Sequence, residues 1–146
     1  MKQFLELFSP LPGNHYLQVT RKRDAISEAL ETILDSVGGK LDIVLYNDEN
    51  LDFNKPFRAL PRDNDIVILQ NVFQAHKNKS MILKISYTTL ANSADVIIME
   101  KKDTMDIEAV KEMLDKHEFR SANYIDVLED YDLVMAKKMH MWGNGL

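Results

Sequence analysis

The chain has 146 residues and no cysteine, which excludes disulfide bonds, thiolate zinc sites and a cysteine nucleophile. Its 45% hydrophobic and 28% charged residues are ordinary for a globular protein and exclude disorder, collagen and coiled coil. A net charge of −5 argues against general nucleic-acid binding. No apolar stretch approaches the roughly 20 residues that span a membrane, and residues 1–8 lack a signal-peptide pattern, so we expect a cytoplasmic location.

The first part of the chain alternates helices and strands. Residues 1–8 predict a short helix, and residues 15–20 predict a strand. The next helix is predicted by an apolar stripe at three- and four-residue spacing, formed by Ile26, Leu30, Ile33, Leu34 and Val37. Asp24 is its expected N-cap, and Gly38–Gly39 its expected stop. Residues 41–46 predict a second strand.

The remaining part continues the alternation and ends in a hairpin. Residues 48–64 contain two prolines and show no helical stripe. Further strands are predicted at 65–69, 95–100, 119–125 and 133–137. Two helices are predicted, one from a cap at Asn78 or Ser80 to about Leu90, and one from a cap at Asp103 or Thr104 to about His117.

This order of elements predicts an α/β fold. Alternating strands and helices favour parallel strands joined by right-handed crossovers, and the last two strands favour an antiparallel hairpin. We therefore expect residues 1–146 to form a single three-layer α/β domain with a mainly parallel sheet. Residues 1–13 would be an N-terminal helix and turn, and residues 139–146 a C-terminal tail. Ligands of such sheets bind beyond the carboxyl ends of the strands.

Polar residues after the strand at 65–69 are candidates for a site. Gln70 and Asn71 could orient a substrate by hydrogen bonds, and the alternative is a turn that caps the next helix. His76 is a candidate general base, and the alternative is a surface histidine beside Lys77 and Lys79. No histidine spacing resembles a metal-ligand pattern, so no metal is predicted.

Several segments resemble class I methyltransferases. The run LPRDNDIVILQNVFQAHKNKSMILK resembles their fourth-strand region, ADVIIMEKK resembles the fifth strand, and HEFRSANYIDVLEDYDLVMAKKM resembles the terminal hairpin. The resemblance covers roughly residues 41–138 and rests on spacing and strand character. It implies a Rossmann-like fold, S-adenosylmethionine as cofactor, and methyl transfer to an unknown acceptor.

The resemblance also implies which residues would form the site. The cofactor-binding residues would be Val19, Thr20, Arg21, Tyr46, Asp48, Glu49 and Gln70. Arg21 would hold the cofactor's carboxylate, and Asp48 or Glu49 its ribose hydroxyls, unless that acidic pair is only a solvent-facing turn. Asn71 or His76 would lie near the acceptor as catalytic residues, and catalysis would come mainly from positioning.

The sequence departs from the family pattern in two places. The family has a glycine-rich turn after its first strand, whereas this chain has Thr20 followed by Arg21-Lys22-Arg23. Only 17 residues, 48–64, stand where the family has a helix and a third strand. Two functions therefore remain open: S-adenosylmethionine-dependent methyl transfer, or an inactive methyltransferase fold kept as a binding or assembly module. Without the third strand, residues 41–46 would form a sheet edge, which predicts a homodimer or partner contact there.

Overall fold

Strands with apolar residues on both faces form a six-stranded mixed sheet between two layers of helices. The computed structural model describes residues 1–47, 57 and 60–139. In chain order the elements are α1 (Lys2–Leu5), β1 (His15–Thr20), α2 (Ala25–Asp35), β2 (Lys40–Leu45), β3 (Asn64–Gln70), α3 (Lys79–Thr89), β4 (Leu90–Lys101), α4 (Ile107–Lys116), β5 (Phe119–Ile125) and β6 (Tyr131–Lys138).

The strand order confirms the predicted fold class. The sheet runs β2-β1-β3-β4-β6-β5. The first four strands are parallel, while β6 is antiparallel to both β4 and β5. The strand order reverses between β1 and β3, because the chain adds β2 on one side of β1 and then adds β3 on the other side of β1. In doubly wound sheets this switch point is where ligands bind.

Two apolar cores lie on opposite faces of the sheet. One packs α1 and α2 through Phe4, Leu30 and Leu34 against sheet residues that include Ile68 and Met99. The other core packs α3 and α4 through Ile82, Leu83, Val110 and Leu114 against sheet residues such as Val19, Leu69 and Ile98. Successive strand residues such as Ile68 and Leu69 point to opposite faces, as the two-residue period of a strand requires.

The predicted boundaries of α2 are confirmed. The Asp24 carboxylate accepts hydrogen bonds from the backbone amides of Ile26 and Ser27, and the Ser27 hydroxyl accepts one from the Asp24 amide, which completes a capping box. Gly38 adopts a left-handed φ of +69° after the helix. Gly39 leaves no room for a side chain, because a Cβ there would lie 2.7 Å from the Asn14 carbonyl oxygen.

The first helix covers only Lys2–Leu5 and the last strand starts at Tyr131, and the predicted start of β4 and cap of α4 are also wrong. β4 begins at Leu90 and not at Asp95, because Leu90 already pairs with Asn64 of β3. The register between the two strands then shifts, and the continuous pairing starts at Asp95 with Ile66. α4 is capped by Asp106, whose side chain accepts from the Ala109 amide, and not by Asp103 or Thr104. The latter two belong to a turn after β4, in which the Thr104 amide bonds to the Lys101 carbonyl.

Some sequence predictions lie outside the described residues. They include the acidic pair Asp48 and Glu49 and the tail beyond Met139. Within the described part of the chain, no helix has the length and apolar character needed to cross a bilayer.

Candidate functional site at the carboxyl edge of the sheet

The carboxyl ends of the parallel strands bring distant polar residues together. β1 ends at Thr20, β3 at Gln70 and β4 at Lys101. β6 runs in the opposite direction, so its first residue, Tyr131, lies at the same edge and pairs with Lys101. Residues far apart in sequence thus meet at the switch point between β1 and β3.

A chain of side-chain hydrogen bonds crosses this switch point. Gln18 donates through Nε2 to Gln70 Oε1 at 2.6 Å. Gln70 in turn donates through Nε2 to Asp24 Oδ2 at 2.7 Å and to the Tyr131 hydroxyl at 3.0 Å. Asn71 donates through Nδ2 to the same hydroxyl at 2.8 Å. Gln18 and Gln70 are fully buried, and a buried amide is stable only when it is paired in this way. The network fixes α2, β1, β3 and β6 relative to one another.

The turn between β1 and α2 carries polar and charged side chains in place of glycines. Thr20 is buried, and its hydroxyl donates to the Lys22 carbonyl at 3.3 Å. Arg21 is half-buried, while Lys22 and Arg23 are exposed. Both terminal nitrogens of Arg23 bond to the carboxylate of Glu31 on α2. The cations of this turn therefore lie where the methyltransferase pattern has small glycines.

Tyr46 and His76 lie together in the interior. Their ring centroids are 6.0 Å apart, and both side chains are buried. His76 Nδ1 accepts a hydrogen bond from the Asn78 amide at 3.0 Å, which places the proton of the neutral ring on Nε2. Burial raises the pKa of Tyr46, so its phenol stays neutral at physiological pH. The alternative of a surface histidine at position 76 is wrong, because the imidazole is shielded by this packing.

Glu100 is a second buried ionisable group at this edge. It accepts hydrogen bonds from the backbone and side-chain nitrogens of Gln74, each at 3.2 Å. Burial raises the pKa of Glu100 above its ordinary value of 4.5, and the bonds from Gln74 offset part of that rise. Gln74 thus partly compensates for the carboxylate's lost hydration.

An open cleft of about 460 Å³ adjoins the network, and we call it the carboxyl-edge cleft. Its walls are the first turn of α2 with its cap (residues 24–26), Met1, Asn71, Lys101 and residues 128–131. Asn71 has a left-handed φ of 61°, a conformation that asparagine tolerates better than most residues. Volumes of roughly 300–1,000 Å³ are typical of small-molecule sites.

The predicted site residues separate into groups. Asn71 lines the carboxyl-edge cleft, and Gln70 does not line it but bonds to two residues of its wall, Asp24 and Tyr131. Val19, Thr20, Tyr46 and His76 are buried and do not line this cleft, while Arg21 is half-buried in the turn after β1. The alternative that Gln70 and Asn71 cap the next helix is wrong, because Asn78 caps α3.

Sequence reasoning missed the participation of Gln18 and Tyr131 and the bond from Gln70 to Asp24. Gln18 is an amide inside an otherwise apolar strand, and that pattern indicates a buried hydrogen-bonding partner. Tyr131 stands in the acidic run Glu129-Asp130-Tyr131-Asp132, where no local pattern distinguishes it.

Comparison with known proteins supports the fold. Neither a family model nor a curated protein sequence matches the chain. Among solved structures, it is similar to an S-adenosylmethionine-dependent methyltransferase from Aquifex aeolicus, with a TM-score of 0.68 and 14% identity over 94% of this chain and 89% of that one. A Pyrococcus furiosus methyltransferase gives a TM-score of 0.64 and 13% identity over 95% and 81% of the two chains.

The similarity extends to larger proteins. Haemonchus contortus phosphoethanolamine N-methyltransferase 2, in a complex with S-adenosylmethionine, gives a TM-score of 0.67 and 9% identity over 94% of this chain. The chain spans 51% of the length of that protein. Identities this low show the fold alone. The chain therefore has the fold of class I S-adenosylmethionine-dependent methyltransferases.

Proposed function

We propose that this chain is a methyltransferase-fold binding module that does not carry out methyl transfer. The observation that carries the proposal is the bond from Gln70 Nε2 to Asp24 Oδ2 at 2.7 Å. It joins the end of β3 to the start of α2 across the switch point, so these two side chains already bind each other where a cofactor would be held. Fold likeness alone is a weak argument for an activity.

The residues around the switch point do not fit S-adenosylmethionine. The turn at residues 20–23 has no glycine to let its backbone approach the methionine part of the cofactor. The cations Arg21 and Lys22 would lie beside a positively charged sulfonium, and like charges repel, whereas the charge of Arg23 is compensated by Glu31. The buried pair Tyr46 and His76 leaves neither side chain exposed to a ligand in the described structure.

The competing function is S-adenosylmethionine-dependent methyl transfer. It is favoured by the similarity in fold to methyltransferases, one of them in a complex with that cofactor. Arg21 would then hold the cofactor's carboxylate, and Asn71 would position the acceptor from the wall of the carboxyl-edge cleft. His76 would need to leave its buried position before it could accept a proton.

Calorimetric titration with S-adenosylmethionine and S-adenosylhomocysteine separates the two functions. We expect no detectable heat at about millimolar ligand, which corresponds to a binding free energy weaker than about −4 kcal/mol, and no rise in the unfolding temperature. Micromolar binding would contradict the proposal. In that case Arg21→Ala should weaken binding. The control Arg120→Ala, in the strand β5 at the opposite edge of the sheet, should not.

A further inference from the structure

The wall of the carboxyl-edge cleft contains a hydrogen-bond donor with a fixed direction. The Tyr131 hydroxyl accepts from Gln70 Nε2 and from Asn71 Nδ2. A phenol oxygen has two lone pairs and one proton, so both acceptor positions are taken. The proton of Tyr131 must therefore point away from the two amides, and among the described residues it has no acceptor. The cleft thus offers an O–H group to a ligand.

Lys101 provides a second donor beside the first. It lies directly opposite Tyr131 in the antiparallel β4–β6 pair, so both side chains project from the same side of the sheet. Both line the cleft. The Lys101 side chain is exposed and makes no ion pair within the part of the chain that the structure describes. An O–H group and an ammonium side by side match the two oxygens of a carboxylate.

The other charges of the cleft restrict what that carboxylate can belong to. Asp24, Glu129 and Asp130 also line it, so carboxylates outnumber the Lys101 ammonium. Asp24 is already bonded to Gln70 and to α2, whereas Glu129 and Asp130 are exposed at the rim. A phosphate dianion would be repelled by this excess of negative charge, and a ligand that also carries an ammonium would be attracted.

The last feature is an apolar wall. Ile26 and Leu128 face the same cleft, and its 460 Å³ is ample for a molecule of a dozen heavy atoms. We propose that the carboxyl-edge cleft binds a free α-amino acid with an apolar side chain. Tyr131 and Lys101 hold its carboxylate, Glu129 and Asp130 attract its ammonium, and its side chain packs on the apolar wall. This inference rests on the proposed function, since it names the ligand of the binding module.

The test is an NMR titration of the full ¹⁵N-labelled chain with L-leucine as the probe. We expect saturable shifts of the Asn71, Lys101 and Tyr131 amide signals. The matched probes are 4-methylpentanoate, which lacks the ammonium, and 3-methylbutylamine, which lacks the carboxylate. Each should bind at least about tenfold more weakly, because it loses one charge-assisted contact. Absence of saturable shifts at about 10 mM leucine, or equal binding of all three probes, would overturn the inference.

Two substitutions locate the carboxylate. Tyr131→Phe and Lys101→Gln should each weaken leucine binding about tenfold. Their controls are Tyr124→Phe in β5, whose hydroxyl donates to Asp132, and Lys116→Gln at the end of α4, and neither should change the affinity. Lys101 is exposed, so its replacement tests the site even if Tyr131→Phe fails to fold. Unchanged affinity in Lys101→Gln would overturn the assignment.

A titration of the same sample with S-adenosylmethionine keeps the two proposals separate. If neither compound binds, the amino-acid inference is overturned and the proposed function stands. If leucine binds and S-adenosylmethionine does not, both are supported. Micromolar binding of S-adenosylmethionine would overturn the proposed function, whatever leucine does.

Discussion

The Asp24 carboxylate both caps α2 and makes a long-range hydrogen bond to β3. One carboxylate oxygen caps α2 through the amides of Ile26 and Ser27, and the other accepts from Gln70. Among the described residues, Asp106 has only the capping role, in which it accepts from the Ala109 amide at the start of α4. The two aspartates therefore form a natural comparison between a cap alone and a cap combined with a tertiary bond.

We predict that Asp24→Ala lowers the free energy of unfolding by about 2–3 kcal/mol, because it removes the cap and leaves a buried amide hydrogen of Gln70 without its acceptor. Asp106→Ala should cost only about 1 kcal/mol, the usual value of a cap. Urea denaturation of both variants measures the difference. Equal losses would mean that the bond from Asp24 to Gln70 contributes nothing to stability.

The burial of Glu100 predicts the sign with which the stability of the protein depends on pH. Its pKa is raised in the folded state by burial, so the folded chain binds this proton up to a higher pH than the unfolded chain does. Between the ordinary value of 4.5 and the raised value, stability therefore falls as the pH rises. Below that window the Glu100 carboxyl is protonated in both the folded and the unfolded chain, and it no longer lowers the stability.

We predict that the stability of Glu100→Gln relative to the natural chain increases when the pH is raised from 4 to 7, because glutamine has no charge to bury. Urea denaturation of both proteins at the two pH values gives this difference, and the contributions of all other titrating groups cancel in it. A difference in stability that does not change with pH would show that Glu100 is not perturbed in the folded state.

At the scale of elements, α4 ends in an unfavourable conformation. Glu118, directly after the C-cap His117, has a left-handed φ of 73°. This position is commonly glycine, since a Cβ is crowded in that conformation. The Glu118 side chain bonds only to Arg120 among the described residues, in an exposed ion pair at 3.2 Å, and such pairs contribute little.

We predict that Glu118→Gly raises the free energy of unfolding by about 1 kcal/mol, since it removes the left-handed strain. The matched control is Glu112→Gly on the exposed face of α4, where glycine should lower it by about 1 kcal/mol. Thermal and urea unfolding report both values. Destabilisation by both substitutions would indicate that the strain at Glu118 is negligible.

Elements bounded by local signals could be predicted from the sequence. The α2 stripe, its Asp24 cap and the Gly38–Gly39 stop depend on neighbouring residues, and they are confirmed except that Val37 lies beyond the end of the helix. The start of β4 could not be predicted in the same way. Leu90 joins the sheet by pairing with the distant Asn64, and Ser93 then takes a left-handed φ of 69° before the main ladder begins.

The candidate site was predictable only in part. The carboxyl ends of the strands identified Gln70 and Asn71, because parallel strands bring their ends to one edge. The partners that fix them were beyond local reasoning, since the bonds from Gln70 to Gln18, Asp24 and Tyr131 join residues 46 to 61 positions apart. The pairing of Tyr46 with His76 depends equally on long-range packing.

At the scale of the whole molecule, the two edges of the described sheet differ. β5 has a register shift between Arg120 and Asn123, and Ser121 there has a left-handed φ of 58°. Such a bulge hinders pairing with another strand. β2 keeps a continuous six-residue register with β1 and pairs with no other described strand. β2 is thus the better surface for the predicted homodimer.

The end of β2 provides a test of that homodimer. Leu45 is 57% exposed, and an apolar residue at a sheet edge would be covered by a second copy. Leu60 is 56% exposed but lies outside any strand, so it is a matched control. We predict that the natural chain forms a concentration-dependent dimer, and that Leu45→Lys raises its dissociation constant at least about tenfold through charge burial and repulsion.

Light scattering coupled to size-exclusion chromatography measures this dissociation over a range of concentrations. Leu60→Lys adds the same charge to the same type of residue and should leave the dimer unchanged. A natural chain that stays monomeric at high concentration would refute the homodimer. Equal weakening by both substitutions would show that added charge, and not the β2 edge, controls association, because only Leu45 lies on that strand.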